Sequence, residues 1–263
     1  MRIAIIGAGG VATNLGLALH ERGAEVVEVW SKSRVSAESL ARRLGCHPSW
    51  GTPETMTRAA DLYLIAVKDA ALPEVVSRLH EGREGALFVH TAGSMPLSLF
   101  AEAGHERGGV FYPMQTFSKE RRVDFSTVHF FVEASQPADE ALLRELAETL
   151  AGDTAKVHRS TSASRRQLHL AAVFACNFAN HCFALSDEIL RDAGLDFSVM
   201  LPLVGETVAK LHDLRPRSAQ TGPAARQDQN VMGLQRAMLA DRPDMQRIYT
   251  MLSESIGKLK IGN

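Results

Sequence analysis

The sequence predicts an α/β domain over residues 1–155, followed by an all-helical domain over residues 156–263. Three observations carry that prediction. The chain opens on a short apolar run, RIAII, that breaks into a glycine-rich turn, GAGGVA. Further apolar runs of strand length then alternate with stretches of helical period, as right-handed crossovers and a mostly parallel sheet require. After about Lys156 no strand pattern recurs, and only helical periodicity continues.

Taken in order, RIAII is a strand and the segment from about Val11 to Glu21 a helix. EVVEVW is the second strand, and AESLARRLG a short helix. DLYLIAV is a strand, followed by a helix from about Pro73, whose fixed φ suits a first helical turn. ALFVHT, GVFYP and TVHFFVEA continue the sheet, and a helix from about Ala138 to Leu150 ends near Gly152. In the second half Ser164 to Asp192 reads as one helix, stopped near Gly194. At 1.5 Å per residue it spans ~43 Å and needs a partner surface along its run. Helices around Phe197 to His212, Gln229 to Leu239 and Met245 to Lys258 complete the chain.

Composition narrows the function classes. The 263 residues are 45% hydrophobic and 22% charged, with a formal net charge of −1. No global field favours nucleic acid or an anionic membrane, so any anion must be held locally. Three cysteines form no CxxC and no paired framework, which suggests buried, inert thiols in a reducing compartment. The histidines show no HExxH and no cluster at zinc spacing, so no metal is expected. MRIAIIGAGGVA reads as a strand and turn rather than a leader, and no apolar stretch reaches the ~18 residues of a membrane span. A cytoplasmic protein is expected.

The turn Gly7-Ala8-Gly9-Gly10-Val11-Ala12 follows a strand and opens a helix. A first glycine there permits the tight turn, and a second lets the backbone approach a pyrophosphate. A small residue at Ala12 lets helix pack on strand. Exposed N–H groups at the helix start supply donors and the positive end of the dipole. The spacing predicts a dinucleotide cofactor. At the end of the second strand, VVEVWSKS places Ser31, Lys32 and Ser33, with Arg34 beside them, where a ribose-binding carboxylate often stands. Such a carboxylate would face a 2′-phosphate at a cost of about 4 kcal/mol for unit charges 4 Å apart at an effective dielectric near 20. A hydroxyl–ammonium patch removes that repulsion and predicts NADP. Val67-Lys68-Asp69 and Thr91-Ala92-Gly93 follow later strands and are expected to border the cofactor, with Tyr112 to Phe117, including Gln115 and Thr116, as a wall of the nicotinamide site.

On an even helix of 100° per residue, His169, Asn177, Asn180 and Asp187 fall along one stripe, which is either a cleft wall or a set of satisfied core polar groups. His169, Asn177 and Asn180 are the candidate catalytic groups. In QTGPAARQD, Thr221-Gly222-Pro223 is a turn, and Arg226 and Asp228 are candidates for an anionic substrate or a partner subunit. Asp228 is alternatively a cap for the helix that follows.

AIIGAGGVATNL, HTAGS, FYPMQTFS, LHLAAVFACNFANH and QTGPAARQD resemble a family described as Rossmann-like with a C-terminal domain of unknown function, DUF2520. The two-domain plan is similar to that of the wider superfamily of 6-phosphogluconate dehydrogenase and pyrroline-5-carboxylate reductase. The resemblance implies a Rossmann NAD(P)-binding domain, an all-α domain like the C-terminal domain of 6-phosphogluconate dehydrogenase, and a homodimer through the helical part. It also implies NADP binding, in a family whose members are often labelled NADP oxidoreductases, and supplies no substrate; the leading expectation is an NADP-dependent reductase of a small carbonyl or imine held in an interdomain cleft. The wider group's β-hydroxyacid dehydrogenases carry a Lys and an Asn four residues apart early in their long helix. Here that region reads Arg165-Arg166-Gln167-Leu168-His169. His169 is therefore the expected proton donor, since imidazole titrates near neutrality. A pyrroline-5-carboxylate-type imine reductase and a non-catalytic nucleotide-binding sensor or scaffold are the rival readings.

Overall fold

The computed structural model describes residues 1–79 and 81–261. Eight strands among them form one sheet: β1 (Arg2–Ile6), β2 (Glu25–Ser31), β3 (His47–Trp50), β4 (Leu62–Ile65), β5 (Leu87–His90), β6 (Gly108–Met114), β7 (His129–Ala134) and β8 (Val157–Arg159). Their order is β3-β2-β1-β4-β5-β6-β7-β8. Only the β6–β7 pairing is antiparallel. Helices α1 (Gly10–Glu21), α2 (Arg34–Leu44), α3 (Leu72–Arg78), α4 (Ser98–Glu102) and α5 (Pro137–Ala151) connect the strands.

The sheet is buried on both faces because alternate residues of its central strands are apolar in both directions. Ile3 and Ile5 of β1 join Leu62 and Leu64 of β4 in one core with Leu15, Leu40 and Leu143 from α1, α2 and α5. Ala4, Ile6, Tyr63 and Ile65 face the other way, onto Val75, Val76 and Phe100 from α3 and α4. Strand order reverses between β1 and β4, and at such a switch point the carboxyl ends of the strands leave a crevice.

Two strands depart from the sequence prediction. β3, with Pro48 inside it, pairs in parallel with β2 at the sheet's edge. β8 follows Lys156, where no further strand was expected, and pairs with β7. Both are short, and they are strands through pairing rather than local pattern.

The helical half comprises α6 (Ser162–Ala172), α7 (Ala179–Asp192), α8 (Leu201–Ala209), α9 (Pro216–Ala219), α10 (Gln229–Ala237) and α11 (Pro243–Ile261). A π-helical stretch, Val173–Phe178, joins α6 to α7. Contacts divide the chain into two compact units, Met1–Asn177 and Phe178–Asn263, a division that falls inside this helix. The reason is that α6 is bolted to the sheet. Arg165 is fully buried and pairs with Glu133 of β7. Its guanidinium also donates to the Met95 carbonyl at 2.5 Å. Ser162 adds a backbone bond of 3.0 Å and a hydroxyl bond of 2.9 Å to the same carboxylate.

Two further expectations are corrected. Cys176 and Cys182 are exposed rather than buried, while Cys46 is half-buried and burial pushes its thiol up to about 11. The Ser162–Asp192 helix holds an 18-residue window of mean hydropathy 1.4 with at most two charged residues. Among the described residues, one helix is thus long and apolar enough to cross a membrane, by length and composition alone.

Removing one partner of a buried ion pair leaves an uncompensated charge, at about 3–5 kcal/mol. Arg165→Ala is expected to lower the unfolding free energy by that order in urea titration. Pairing it with Glu133→Leu should recover much of the loss.

Candidate functional site

The phosphate turn is shaped by what its glycines exclude. Gly7 has φ +114°, and a Cβ there would stand 2.2 Å from the Ala66 carbonyl oxygen. Only glycine allows β1 and the end of β4 to approach this closely. A Cβ on Gly9 would meet nothing within 4 Å, so the face of the turn is open. Gly9 caps α1 with no side-chain bond, which leaves the first N–H groups of the helix for a ligand. Ala12 is fully buried in the core, the small residue that lets α1 sit down on β1.

Around this turn opens a cleft of about 820 Å³. Gly7, Ala8, Gly9, Gly10 and Val11 line one part of it, Ser31 and Lys32 another, and Val67 and Lys68 a third. These predicted cofactor residues are brought together. Ser33 is not among the lining residues: its hydroxyl caps α2, accepting from Ser36 N at 3.4 Å. Arg34 is engaged as well, 2.7 Å from Glu38 and 4.6 Å over the Trp50 ring. Ser36 takes their place in the lining. The acid inside β2, Glu28, is buried and accepts from the Thr57 amide at 2.7 Å, so its charge is used away from the cleft. Three basic or aromatic lining residues were not foreseen: Trp30, Arg78 and Lys119.

A second cluster forms at the carboxyl ends of β5 and β6. Tyr112 of β6 is buried, and its hydroxyl lies 3.2 Å from Nδ1 of His169 on α6. The rings meet edge to face at 6.1 Å. Burial raises the Tyr112 phenol above its ordinary value, with the Arg165 charge opposing. The imidazole closes onto Gly93, where a Cβ would lie 2.6 Å from Nδ1. Gly93 thus borders His169, and Thr91, Ala92 and Gly93 are not among the residues that line the cleft around the phosphate turn. Asp69 accepts a hydrogen bond from Ser94, which ties the segment after β4 to the one after β5. His90, fully buried, accepts from the Ala92 amide at 3.2 Å. Burial and then the Arg165 charge push its imidazole down to about 3, against the Pro96 backbone, so it stays neutral.

The remaining candidates are placed differently. Gln115 and Thr116 are exposed after β6, with the Gln115 side chain accepting from the Thr116 amide at 2.9 Å. Asn177 lies in the π-helical stretch and Asn180 beyond it. A π turn adds a residue to the helix, which rotates later side chains by about 100° from an even α-helix. The even stripe of His169, Asn177 and Asn180 is therefore broken. In the second unit, Gly222 makes the predicted turn with φ +101°, and Thr221 and Arg226 are exposed. Asp228 caps α10, accepting from Val231 N at 3.1 Å, the capping alternative of its two readings.

A model of a Rossmann-like domain matches residues 1–111, and a model of a domain of unknown function, DUF2520, matches residues 128–256. Among solved structures, a Bacteroides fragilis protein provisionally assigned as an NADP oxidoreductase is 47% identical. The match has a TM-score of 0.93 and covers 98% of each chain. An imine reductase from Myxococcus stipitatus, in complex with NADP+, is 16% identical with a TM-score of 0.69, over 100% of this chain and 95% of that one. A pyrroline-5-carboxylate reductase from Coxiella burnetii is 15% identical with a TM-score of 0.59, over 98% and 97%. These two share the fold. No curated protein matches the chain.

The fit of His169 against Gly93 is directly testable. Forcing a methyl group into a packed site costs about 1–3 kcal/mol. Gly93→Ala should show that loss in denaturant titration, and adding His169→Ala should restore most of it by removing the obstructing ring. Strict additivity of the two variants would refute the contact.

Proposed function

The chain belongs to the family of Rossmann-like proteins with a C-terminal DUF2520 domain, and from that premise we propose that it is an NADP-dependent oxidoreductase acting on a small carbonyl or imine. The observation that carries the reading is the cleft itself, where an open Gly9 backbone and the start of α1 share one space with Ser31 and Lys32. The 47%-identical relative's provisional assignment supports it. The residues fit the cofactor: glycines where side chains would obstruct, amide donors for a diphosphate, and a cation with a hydroxyl for a 2′-phosphate.

A nicotinamide bound there supplies the hydride. The chain's own groups bind, orient and deliver a proton. The helix N–H groups hold the diphosphate, and Lys32 with Ser31 selects the 2′-phosphate. The hydrogen bond between the Tyr112 hydroxyl and Nδ1 of His169 orients the ring; in its imidazolium form His169 passes the Nε2 proton to a developing alkoxide or amine and is left as neutral imidazole. Arg165 holds α6 on the sheet and so holds His169 in range of Gly93 and Tyr112.

Lys32→Ala is expected to weaken NADPH about tenfold or more while leaving NADH unchanged, read by fluorescence titration. His169→Ala should keep NADPH affinity and lose about 10²–10⁴ in turnover on whichever member of a carbonyl and imine panel is reduced. Turnover of the cyclic pyrroline carboxylate would select the imine-reductase reading. NADPH binding with no oxidation across the panel would select the sensor.

We further propose a homodimer through the helical part. Helices α8, α9 and α10 bury no residue, and Leu203, Leu234, Met238 and Met251 are each more than 60% exposed. Such apolar surface requires cover. Light scattering should give twice 28.6 kDa, and Leu234→Glu with Met238→Glu should shift the mass toward the monomer.

A further inference from the structure

We propose that Lys119 is the cation that takes the diphosphate of the dinucleotide, and that Asn14 positions it by strapping the segment after β6 along α1. The inference rests on the dinucleotide reading above and assigns residues to which that reading gives no role.

The strap is held at three places. At the start of α1, the Phe117 carbonyl oxygen stands 2.7 Å from where a Gly10 Cβ would be, so the segment passes directly over the first turn of the helix. One turn on, Asn14 is only 4% exposed, within a helix whose buried residues are otherwise mainly apolar or small. Its Nδ2 donates to the Ser118 carbonyl at 2.9 Å and to Gly10 O at 3.0 Å. Its Oδ1 accepts from the Val123 amide at 2.9 Å. A buried amide is costly unless its groups are satisfied, and here two of the three bonds are spent on the strap. At the far end of α1, Arg122 grips Glu21 with two bonds, of 2.8 and 2.6 Å. Lys119, next to the pinned Ser118, lines the cleft.

Charge then separates the roles. Four cations line the cleft: Lys32, Lys68, Arg78 and Lys119. Arg78 is occupied by Glu54 at 2.6 Å and Glu74 at 3.2 Å. Among the described residues the three lysines form no ion pair. Lys32 directly follows β2, beside Ser31, on the 2′-phosphate side. Lys119 comes from the segment crossing the N-terminus of α1, where helix dipole and amides already favour phosphate. Lys68 follows β4 and is the competing candidate for the diphosphate.

The test is a set of titrations of the full chain with NADPH, NADH and 2′-AMP, which has the 2′-phosphate and no phosphate at the 5′ position. Lys119→Met alters an exposed side chain and should fold normally. It is expected to weaken NADPH and NADH by the same factor, about ten- to hundredfold, and to leave 2′-AMP unchanged. Lys119→Arg should restore most of the affinity. Asn14→Leu should show the same selectivity, losing NADPH but not 2′-AMP, together with faster tryptic cleavage after Lys119, Arg121 or Arg122. A general structural defect would instead weaken all three ligands. The proposal is overturned if Lys119→Met leaves NADPH binding intact, if it weakens only the 2′-phosphorylated ligands, or if Lys68→Met alone produces the expected pattern. In those cases a wild-type chain that binds NADPH keeps the cofactor reading. A wild-type chain that binds none of the ligands overturns both.

Discussion

The structure depends on one close approach of backbone to backbone, where Gly7 leaves β1. Its amide donates to the Trp30 carbonyl at the end of β2, at 2.8 Å, while Ala66 beyond β4 donates to Ile6 at 2.7 Å. The strand is thus clamped between its two neighbours at the point where the chain must turn. A side chain at Gly7 would collide with the Ala66 carbonyl, so the turn exists only with glycine there. Sheet order reverses beside the same strand, and the crevice this creates is where the ends of β2 and β4 bring Lys32 and Lys68 to the first turn of α1. Position in the cleft follows from strand order, and the chemistry follows from which residues occupy the strand ends.

That logic explains what was legible in the sequence. The β1–turn–α1 unit and the end of β2 are local, so periodicity and glycine spacing reveal them. The assignment of Ser33 and Arg34 went further than local chemistry allows. A serine three residues before a helical amide is a natural cap, and an Arg four residues before a Glu is a natural pair; each uses the side chain outside the cleft. β3 and β8 are too short to declare themselves, and each exists through a neighbour far along the chain. Asn14 and Lys119 are separated by more than a hundred residues, and no pattern along the chain joins them. The one available signal was an amide at a buried position of an otherwise apolar helix.

The long helix shows a different limit. Its composition supports an unbroken run from Ser164 to Asp192, and the helix is indeed continuous, from Ser162 to Asp192. What composition does not carry is the π-helical stretch at Val173–Phe178, which changes the phase of the helix at its midpoint. Upstream, His169 meets Tyr112 and Gly93 as part of the α/β unit. The division into compact units falls in the same stretch, at Asn177. Cofactor turn and imidazole therefore belong to one body and share the carboxyl edge of one sheet.

Two polar networks hold that edge in place, and neither is explained by stability alone. Glu133, Ser162 and Arg165 lock α6 to β7, and Asn14 locks the segment after β6 to α1. Apolar replacements for a buried ion pair such as Arg165–Glu133 are often neutral or stabilising, and a buried amide such as Asn14 gains little net stability from its bonds. Their contribution here is geometric: a directional bond fixes a helix or a strap to within tenths of an ångström, where apolar packing would tolerate a slide. His169 sits one helical turn beyond Arg165, and Lys119 one residue beyond Ser118, so each network fixes the backbone beside a group whose position matters. The sheet supplies the two addresses, and the buried hydrogen bonds keep the side chains at them.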